Sequence, residues 1–598
     1  MASMRTKSVP AASLSQLIRP LLSTGLPDAS SLIAEGRAIA AELTLGRSLF
    51  CEQQDVASEA EYKERCKAGG TIMYHAHVGM DSWPATAEAL RHIHQVARDG
   101  GYRLDRAGIC LDRRMAVPEA FRHGIPAETG PLITTPAEWR EIGQIVPIQP
   151  HMGDFMIGFP AATTNTIHAL QAGVTTIGNL SQYFAHEAPM WKDRVATAAE
   201  TIRAIAILGA RRKDGLLLHS YLEDGFGALF FDCATVAGWA YLERYIVENL
   251  LGARLSHCIG GLTTDPVKRV GWVFALDEIH DHDCTGSMIY GDTISLTRDF
   301  PHNWAVVGEY LLWDILAQLE CPTGHAVHPL PITEAIRIPS AEEIAESQTF
   351  GRQVERAARR MHRAVDFGPA RSFARRMVDA GKQICANALD GLADAGVDVR
   401  NPLELLYVLR GLGPVEFERH FGAGELDADT GRRQPLAATD MCARSLEIIE
   451  EHRPLFTTAR MRSLMGGKRL LLASTDVHQH ALFVLEALLR QAGAAVTSLG
   501  PEQNAADVAE GAAEHGVEAI LLSTHNGMAL EYAQQLQAEL DRRRVDAPVL
   551  MGGVLNQKMA GQPLPADVTA DLKRLGIHTG ALADGSVGRL LPAQKCDR

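Results

Sequence analysis

The sequence predicts an α/β protein. Its expected fold is a (β/α)8 TIM-like barrel, then a helical connector, then a C-terminal flavodoxin-like (Rossmann-type) domain. Three observations carry this. Short apolar runs alternate with amphipathic helical stretches eight times between residues 70 and 332. The runs end in polar residues. A second strand–helix alternation begins near residue 465 and closes on Gly552-Gly553. A chain of 598 residues is long enough for two or three such domains.

Residues 1–67 read as helical, packing on the barrel or at a subunit interface. The barrel is expected over 68–345, with strands at 71–77, 107–112, 145–151, 174–179, 215–219, 253–257, 286–290 and 324–328. Polar residues gather where those strands end: His75 and His77; Asp112, Arg113 and Arg114; His151; Asn179; His219, Tyr221 and Glu223; His257; Asp292; His328. Active sites of such barrels lie at that carboxyl-end face. Residues 346–464 read as connector. Ala, Arg, Glu and Leu at helical spacing fill its first part, and the polar, turn-prone stretch 422–435 reads as a linker that lets the last domain tilt.

In the C-terminal domain, 465–598, the buried-strand run 470–473 leads to Asp476 and His478. A histidine at the carboxyl end of a strand in an open parallel sheet stands where such sheets bind ligands. A carboxylate two residues earlier can hold one ring nitrogen and leave the other for a metal. The run 519–522 ends in Ser523-Thr524-His525, and 549–551 leads into Gly552-Gly553, where glycines let a bulky flat ligand approach the backbone.

Composition is globular, 46% hydrophobic and 22% charged. A net charge of −14 argues against a nucleic-acid partner, which needs clustered Lys and Arg. No apolar run reaches membrane-spanning length, so no membrane partner is expected. The first residues lack the apolar core of a secretory signal. Ten cysteines are scattered without a CxxC pair, as suits reduced thiols. The expected compartment is the cytoplasm.

The motifs Asp476-Val477-His478-Gln479-His480-Ala481, Ser523 and Gly552-Gly553 resemble, in order and spacing, the cobalamin-binding domain of corrinoid mutases and methionine synthase. The resemblance implies His478 as the axial cobalt ligand, tuned by Asp476, with Ser523, Gly552 and Gly553 lining the pocket for the displaced base. Ala481 stands where the family has glycine and His525 where it has leucine, both near the nucleotide tail. The barrel stretch is similar to the large subunit of glutamate mutase (methylaspartate mutase). The similarity runs through Gly70-Thr71-Ile72-Met73 to Val78-Gly79, Ile148-Gln149 with Gly153, and Pro331 to Pro339. It implies an adenosylcobalamin-dependent radical carbon-skeleton mutase, an isomerase, with Glu334 beside the adenosyl ribose and His219 and Asn179 in catalysis. The barrel mouth would close over the corrin. A homodimer and a reactivating chaperone are expected partners.

The departures bear on the substrate. Where the family's first and third strands carry arginines for substrate carboxylates, this chain has His77 and His151. Arg113 or Arg114 remains for one carboxylate. A small carboxylate other than glutamate is expected, held by His77, Arg113, Arg114 and His151. One rival reading is a metal-dependent barrel hydrolase using His75, His77, His219 and His257. The eighth strand lacks the metal-binding aspartate of that pattern, and no lysine ends the fourth. A corrinoid methyltransferase or cobalamin sensor is the other rival, and neither a cysteine cluster nor a basic helix-turn-helix supports it.

Overall fold

The computed structural model describes residues 11–580 apart from 126, 128–129, 284, 428–431, 476–479, 502, 526, 558 and 560–564. The chain divides into two compact units, Met1–Asp440 and Met441–Arg598.

Eight short parallel strands organise the first unit: β1 (His75–Val78), β2 (Arg106–Ile109), β3 (Gln149–His151), β4 (Thr176–Ile177), β5 (Leu217–Tyr221), β6 (Leu255–Cys258), β7 (Met288–Ile289) and β8 (Ala326–Val327). β1–β2–β3, β4–β5–β6 and β7–β8 pair in parallel. Single parallel bridges join the groups: Met152 to Ile177, Ile259 to Ile289, and Val327 back to Tyr74. The pairings therefore run round all eight strands and return to the first. Each lies within or beside an apolar run expected from sequence, and most are shorter.

Side-chain direction alternates along each strand. On β1, His75 and His77 point into the ring. Tyr74, just before, points outward, its hydroxyl bonding the Gly351 carbonyl and Glu355 on the helix Ala341–Met361. The surrounding helices start where the sequence offers caps. Ser82, Asp193, Asp232, Asp265 and Asp299 each accept a backbone N–H, and Ser340 forms a capping box with Glu343. The long helices Gly368–Asp394 and Pro402–Phe421 bury Phe373, Met377, Leu406 and Phe417 in the same continuous core as the strands.

The floor of the ring is made by the helix Glu59–Gly69. Fully buried Lys63 donates to the carbonyls of Gly286, Ser287 and Gly324 at 2.6, 2.7 and 2.8 Å, capping the approach to β7 and β8. Glu59, one turn earlier, lies 3.6 Å from Lys63 and 2.8 Å from Nε of buried Arg106 on β2.

The stretch 422–435 departs from the expected linker. Its described residues fold back on the first unit: Arg433 donates to the carbonyls of Arg419 and Gly424, and Leu426 bridges Arg433. Just beyond, Asp232 accepts the N–H groups of Leu436 and Ala437, and Lys268 pairs with Asp440. The polar composition that reads as a linker serves these buried hydrogen bonds.

The second unit opens with the helices Asp440–Phe456 and Ala459–Met465. Its parallel sheet contains β9 (Arg469–Ser474), β10 (Ala495–Gly500), β11 (Ala519–Thr524) and β12 (Val549–Gly553). A hairpin of β13 (Asn556–Gln557) and β14 (Ala566–Asp567) precedes the edge strand β15 (His578–Thr579). The order β10-β9-β11-β12-β15 is that of a doubly wound, Rossmann-like sheet. Leu470, Leu472 and Leu521 face one helical layer, while Leu471, Ile520 and Leu522 face the other. Burial on both faces explains why these strands read as unbroken apolar runs.

Replacing Lys63 by Met should strand three buried carbonyls and leave Glu59 with one cation fewer. Removing one member of a buried ion network costs roughly 3–5 kcal/mol. A fall of that order in the urea-unfolding free energy of the first unit is expected, with far-UV circular dichroism as the readout.

Candidate functional site

Inside the ring five imidazoles form one connected layer: His75 opens β1, His77 and His219 lie within β1 and β5, His151 ends β3 and His328 follows β8. His75, His77 and His328 sit in a triangle with ring centroids 4.8, 4.8 and 5.1 Å apart. His75 is 6.2 Å from His151, which is 4.7 Å from His219. The β2 residue facing this layer is Gly108. A Cβ there would lie 2.6 Å from His77 Cδ2 and 3.1 Å from His75 Nε2, so glycine makes the room for two rings. Tyr290 closes one side, its hydroxyl 3.0 Å from His77 Nδ1 and its ring stacked on Tyr221.

Burial holds all five histidines neutral. It lowers His75, His151, His219 and His328 well below the usual imidazole value and His77 to about 3, with the Arg106 charge adding to each. Two tautomers are fixed by their partners. Arg106 Nη1 can only donate, so His75 Nδ1 accepts at 3.2 Å and the His75 proton sits on Nε2. His151 Nδ1 lies 3.0 Å from the Thr176 carbonyl and must donate, leaving a lone pair on Nε2. His75 Nε2, His151 Nε2, His219 Nδ1 and His328 Nδ1 are all buried without a hydrogen-bond partner in the protein. Four orphaned nitrogens in one layer mark a place built for a polar guest.

The other residues singled out from sequence separate into groups. Glu334 and the rings of His77 and His328 line one small pocket, where burial lifts the Glu334 carboxyl to about 7. Asp154 is raised to about 6 by burial, partly offset by Gln182. Arg114 closes its fork on Asp112, Nε and Nη2 each 2.8 Å from a carboxylate oxygen. Arg113 begins the same short helical turn. Asn179 has a capping role: its Oδ1 accepts from Ser181 N and Tyr221 N, and its Nδ2 donates to Asp224. His257 points away from the ring interior, into the surrounding helices, with Nε2 on Glu243 and Nδ1 on His280. Glu223 anchors a loop by accepting from Gly260 N, Leu262 N and Thr263 Oγ1.

Arg106, Glu59 and Tyr290 were not legible as site residues. An arginine opening an apolar strand and a glutamate inside a helix carry no motif. Only the ring geometry brings them beneath or beside the histidines.

In the second unit, Asp476 and His478 lie outside the described residues. The strand ends of the sheet are described. Ser474 on β9 is in register with Ser523 on β11, and Ser523 with Gly552 on β12. Thr475 N donates to the Ser523 carbonyl and the Thr475 and Thr524 hydroxyls meet at 2.8 Å. Gly553 has φ +98, and a Cβ there would lie 2.3 Å from the Thr524 carbonyl oxygen, so no side chain fits. The strand order reverses between β9 and β11, where sheets of this kind bind their ligands. Small hydroxyl residues and glycines at three adjacent strand ends fit a large planar cofactor.

Glu334 should titrate near neutrality, as a carboxyl signal in 13C NMR that disappears in Glu334→Gln. Its folded pKa of about 7 lies above the ordinary 4.5, so its stabilising contribution is complete below about 4.5 and lost as pH rises through 7. The wild type should accordingly lose stability relative to Glu334→Gln across that interval in parallel urea melts.

Residues 469–572 match the family model described as B12 binding domain. Over 81 residues the chain is 33% identical to the glutamate mutase sigma subunit of Halobacterium salinarum, covering 14% of this chain and 54% of that protein. The chain thus spans about half the length of this curated relative. A solved fungal multi-domain GH3 β-N-acetylglucosaminidase with a GCN5-related glucosamine N-acetyltransferase region aligns with 88% of this chain and 59% of its own. Its TM-score is 0.27 at 10% identity, too low to carry an argument. In the first unit, no helix among the described residues is long and apolar enough to cross a membrane, and the same holds in the second. The C-terminal match, set on a doubly wound sheet with glycines and hydroxyls at its switch point, makes residues 469–572 a B12-binding domain and cobalamin the cofactor this chain binds.

Proposed function

We propose that the protein is an adenosylcobalamin-dependent carbon-skeleton mutase acting on a small carboxylate other than glutamate. The observation that carries this reading is the pairing, on one chain, of a B12-binding domain with a ring of eight parallel strands whose interior holds a buried, uncharged polar layer. We read the ring as a (β/α)8 barrel, in which the carboxyl-end face, where Glu334 and His328 follow β8, is the usual place for chemistry. The likeness to a glutamate mutase sigma subunit supports a mutase over other corrinoid enzymes.

Adenosylcobalamin, when bound, supplies an organic radical. The chain's own residues would do the rest. His478 would hold cobalt, oriented by Asp476, with Ser523, Gly552 and Gly553 shaping the pocket. Glu334, protonated near neutrality, would donate a hydrogen bond to the cofactor's ribose. Arg113, His77 and His151 would hold the substrate, with Arg114 positioned by Asp112 beside them. Burial of the neutral histidines would keep water from the substrate. His219 would complete the wall of the chamber. Asn179 would act through the loop it caps.

The test is reconstitution of the full chain with adenosylcobalamin and EPR spectroscopy while small acids are screened. A substrate-dependent organic radical coupled to cob(II)alamin is expected. Protein that binds no corrinoid would sink the reading. His478→Ala should abolish the spectrum of histidine-ligated cobalamin while leaving the circular dichroism of the first unit unchanged.

A further inference from the structure

We propose that the small pocket at the end of β8 binds one divalent metal ion of the zinc class, held by His77, His328 and Glu334. The proposal goes beyond the mutase reading and does not depend on it. It also differs from a hydrolase-type set of His75, His77, His219 and His257. The fold does not assemble that set, because His257 faces outward onto Glu243.

Three observations converge on an ion. First, unpaired polar groups meet in one cavity. His77, His328 and Glu334 line a small, partly open pocket whose wall is otherwise apolar, with Pro331, Pro339 and Ile344. It has room for about one water-sized group, which suits an ion rather than a whole organic acid. The His77 and His328 nitrogens that could ligate lie within 4.8 Å of one another. His328 is 2% exposed and its Nδ1 has no hydrogen-bond partner. Among the described residues no charge or hydrogen bond acts on the Glu334 carboxyl, and burial alone shifts it. Polar groups left unpaired in an apolar pocket are costly unless a guest engages them.

Second, hydrogen-bond direction selects these ligands. Tyr290 Oη lies 3.0 Å from His77 Nδ1 and can accept its N–H, which leaves the Nε2 lone pair for a metal. An outer hydrogen bond of this kind is what orients a ligating imidazole. His75 belongs to the same cluster of ring nitrogens. It is excluded as a ligand, because Arg106 on Nδ1 places its proton on Nε2. Glu334 takes the third place.

Third, the donor set matches the ion. Two imidazoles and one carboxylate bind zinc-class ions and leave a coordination position open. The carboxylate offsets part of the ion's charge, and Asp154 and Asp224 also act on the Tyr290 hydroxyl behind His77. Arg106, whose charge reaches both rings, is itself paired with Glu59. Under the mutase reading, an ionised Glu334 keeps its ribose contact by accepting a hydrogen bond instead of donating one. His77 then holds the substrate through the open position of the ion.

The test uses the full chain, stripped of metal by a chelator and kept free of cobalamin, so that failure of the mutase reading leaves it untouched. Zinc is titrated against a chromophoric chelator, and cobalt(II) is added separately as an absorbing probe. One equivalent of zinc per chain is expected, and cobalt(II) should give visible d–d bands. Glu334→Gln and His328→Gln should each abolish both signals while keeping the circular dichroism of the wild type. Tyr290→Phe, which removes only the outer hydrogen bond, should weaken zinc binding roughly tenfold. His478→Ala should keep the full equivalent. Three outcomes would overturn the proposal: no uptake of zinc, a full equivalent retained in Glu334→Gln or His328→Gln, or uptake lost in His478→Ala.

Discussion

The contact on which the site depends is the buried pairing of Glu59 with Arg106 beside the histidines of the ring interior. A guanidinium withdrawn from water is tolerable only with a counter-charge and with its donors engaged. Glu59 supplies the first at 2.8 Å, as an ion pair without an aligned hydrogen bond. His75 Nδ1 and Ser287 Oγ, at 3.2 and 3.0 Å, supply the second. Remove the carboxylate and Arg106 becomes an uncompensated charge inside the ring. Remove Arg106 and His75 is free to change tautomer. The helix Glu59–Gly69 is thus more than a plug, because it sets the chemistry presented on the opposite face of the layer.

The same arrangement explains why neutral histidines suit the positions around Arg106. Arg106 already places one guanidinium charge in the interior, and Lys63 places an ammonium nearby. Further arginines at His77 and His151 would pile like charges into a space sealed from solvent. Neutral imidazoles provide directional donors and acceptors at no additional charge. Their rings need width, which the missing side chain of Gly108 provides.

Much of the architecture was legible in the sequence because burial on both faces leaves a simple mark. Each of the eight ring strands lies within or beside an apolar run, and β9, β11 and β12 lie in the runs before Asp476, Ser523 and Gly552-Gly553. What the sequence could not show is which way a strand-end residue faces. His219 and His257 read alike, yet β5 and β6 pair so that His219 stands opposite Ser256, and Ser220 opposite His257. One register position turns His219 inward and His257 outward onto Glu243. Asn179 reads as a rim residue and proves to be a cap, because asparagine suits both places. The stretch 422–435 has the composition of a linker, but its arginine finds carbonyl partners that only the folded chain supplies.

The C-terminal sheet shows how far a site can be defined by its frame. Five parallel strands in the order β10-β9-β11-β12-β15 send the chain to opposite sides after β9 and after β11, opening a crevice at their carboxyl ends. Register then decides what lines it: Ser474, Ser523 and Gly552 stand abreast, so the crevice wall is small and hydroxyl-bearing across three strands. The hydrogen bond from Thr475 to the Ser523 carbonyl ties the end of β9 to β11 immediately before Asp476. The segment carrying Asp476 and His478 therefore departs from a fixed point at the switch of strand order. Gly553, which cannot accept a side chain, keeps the neighbouring strand end open to the backbone.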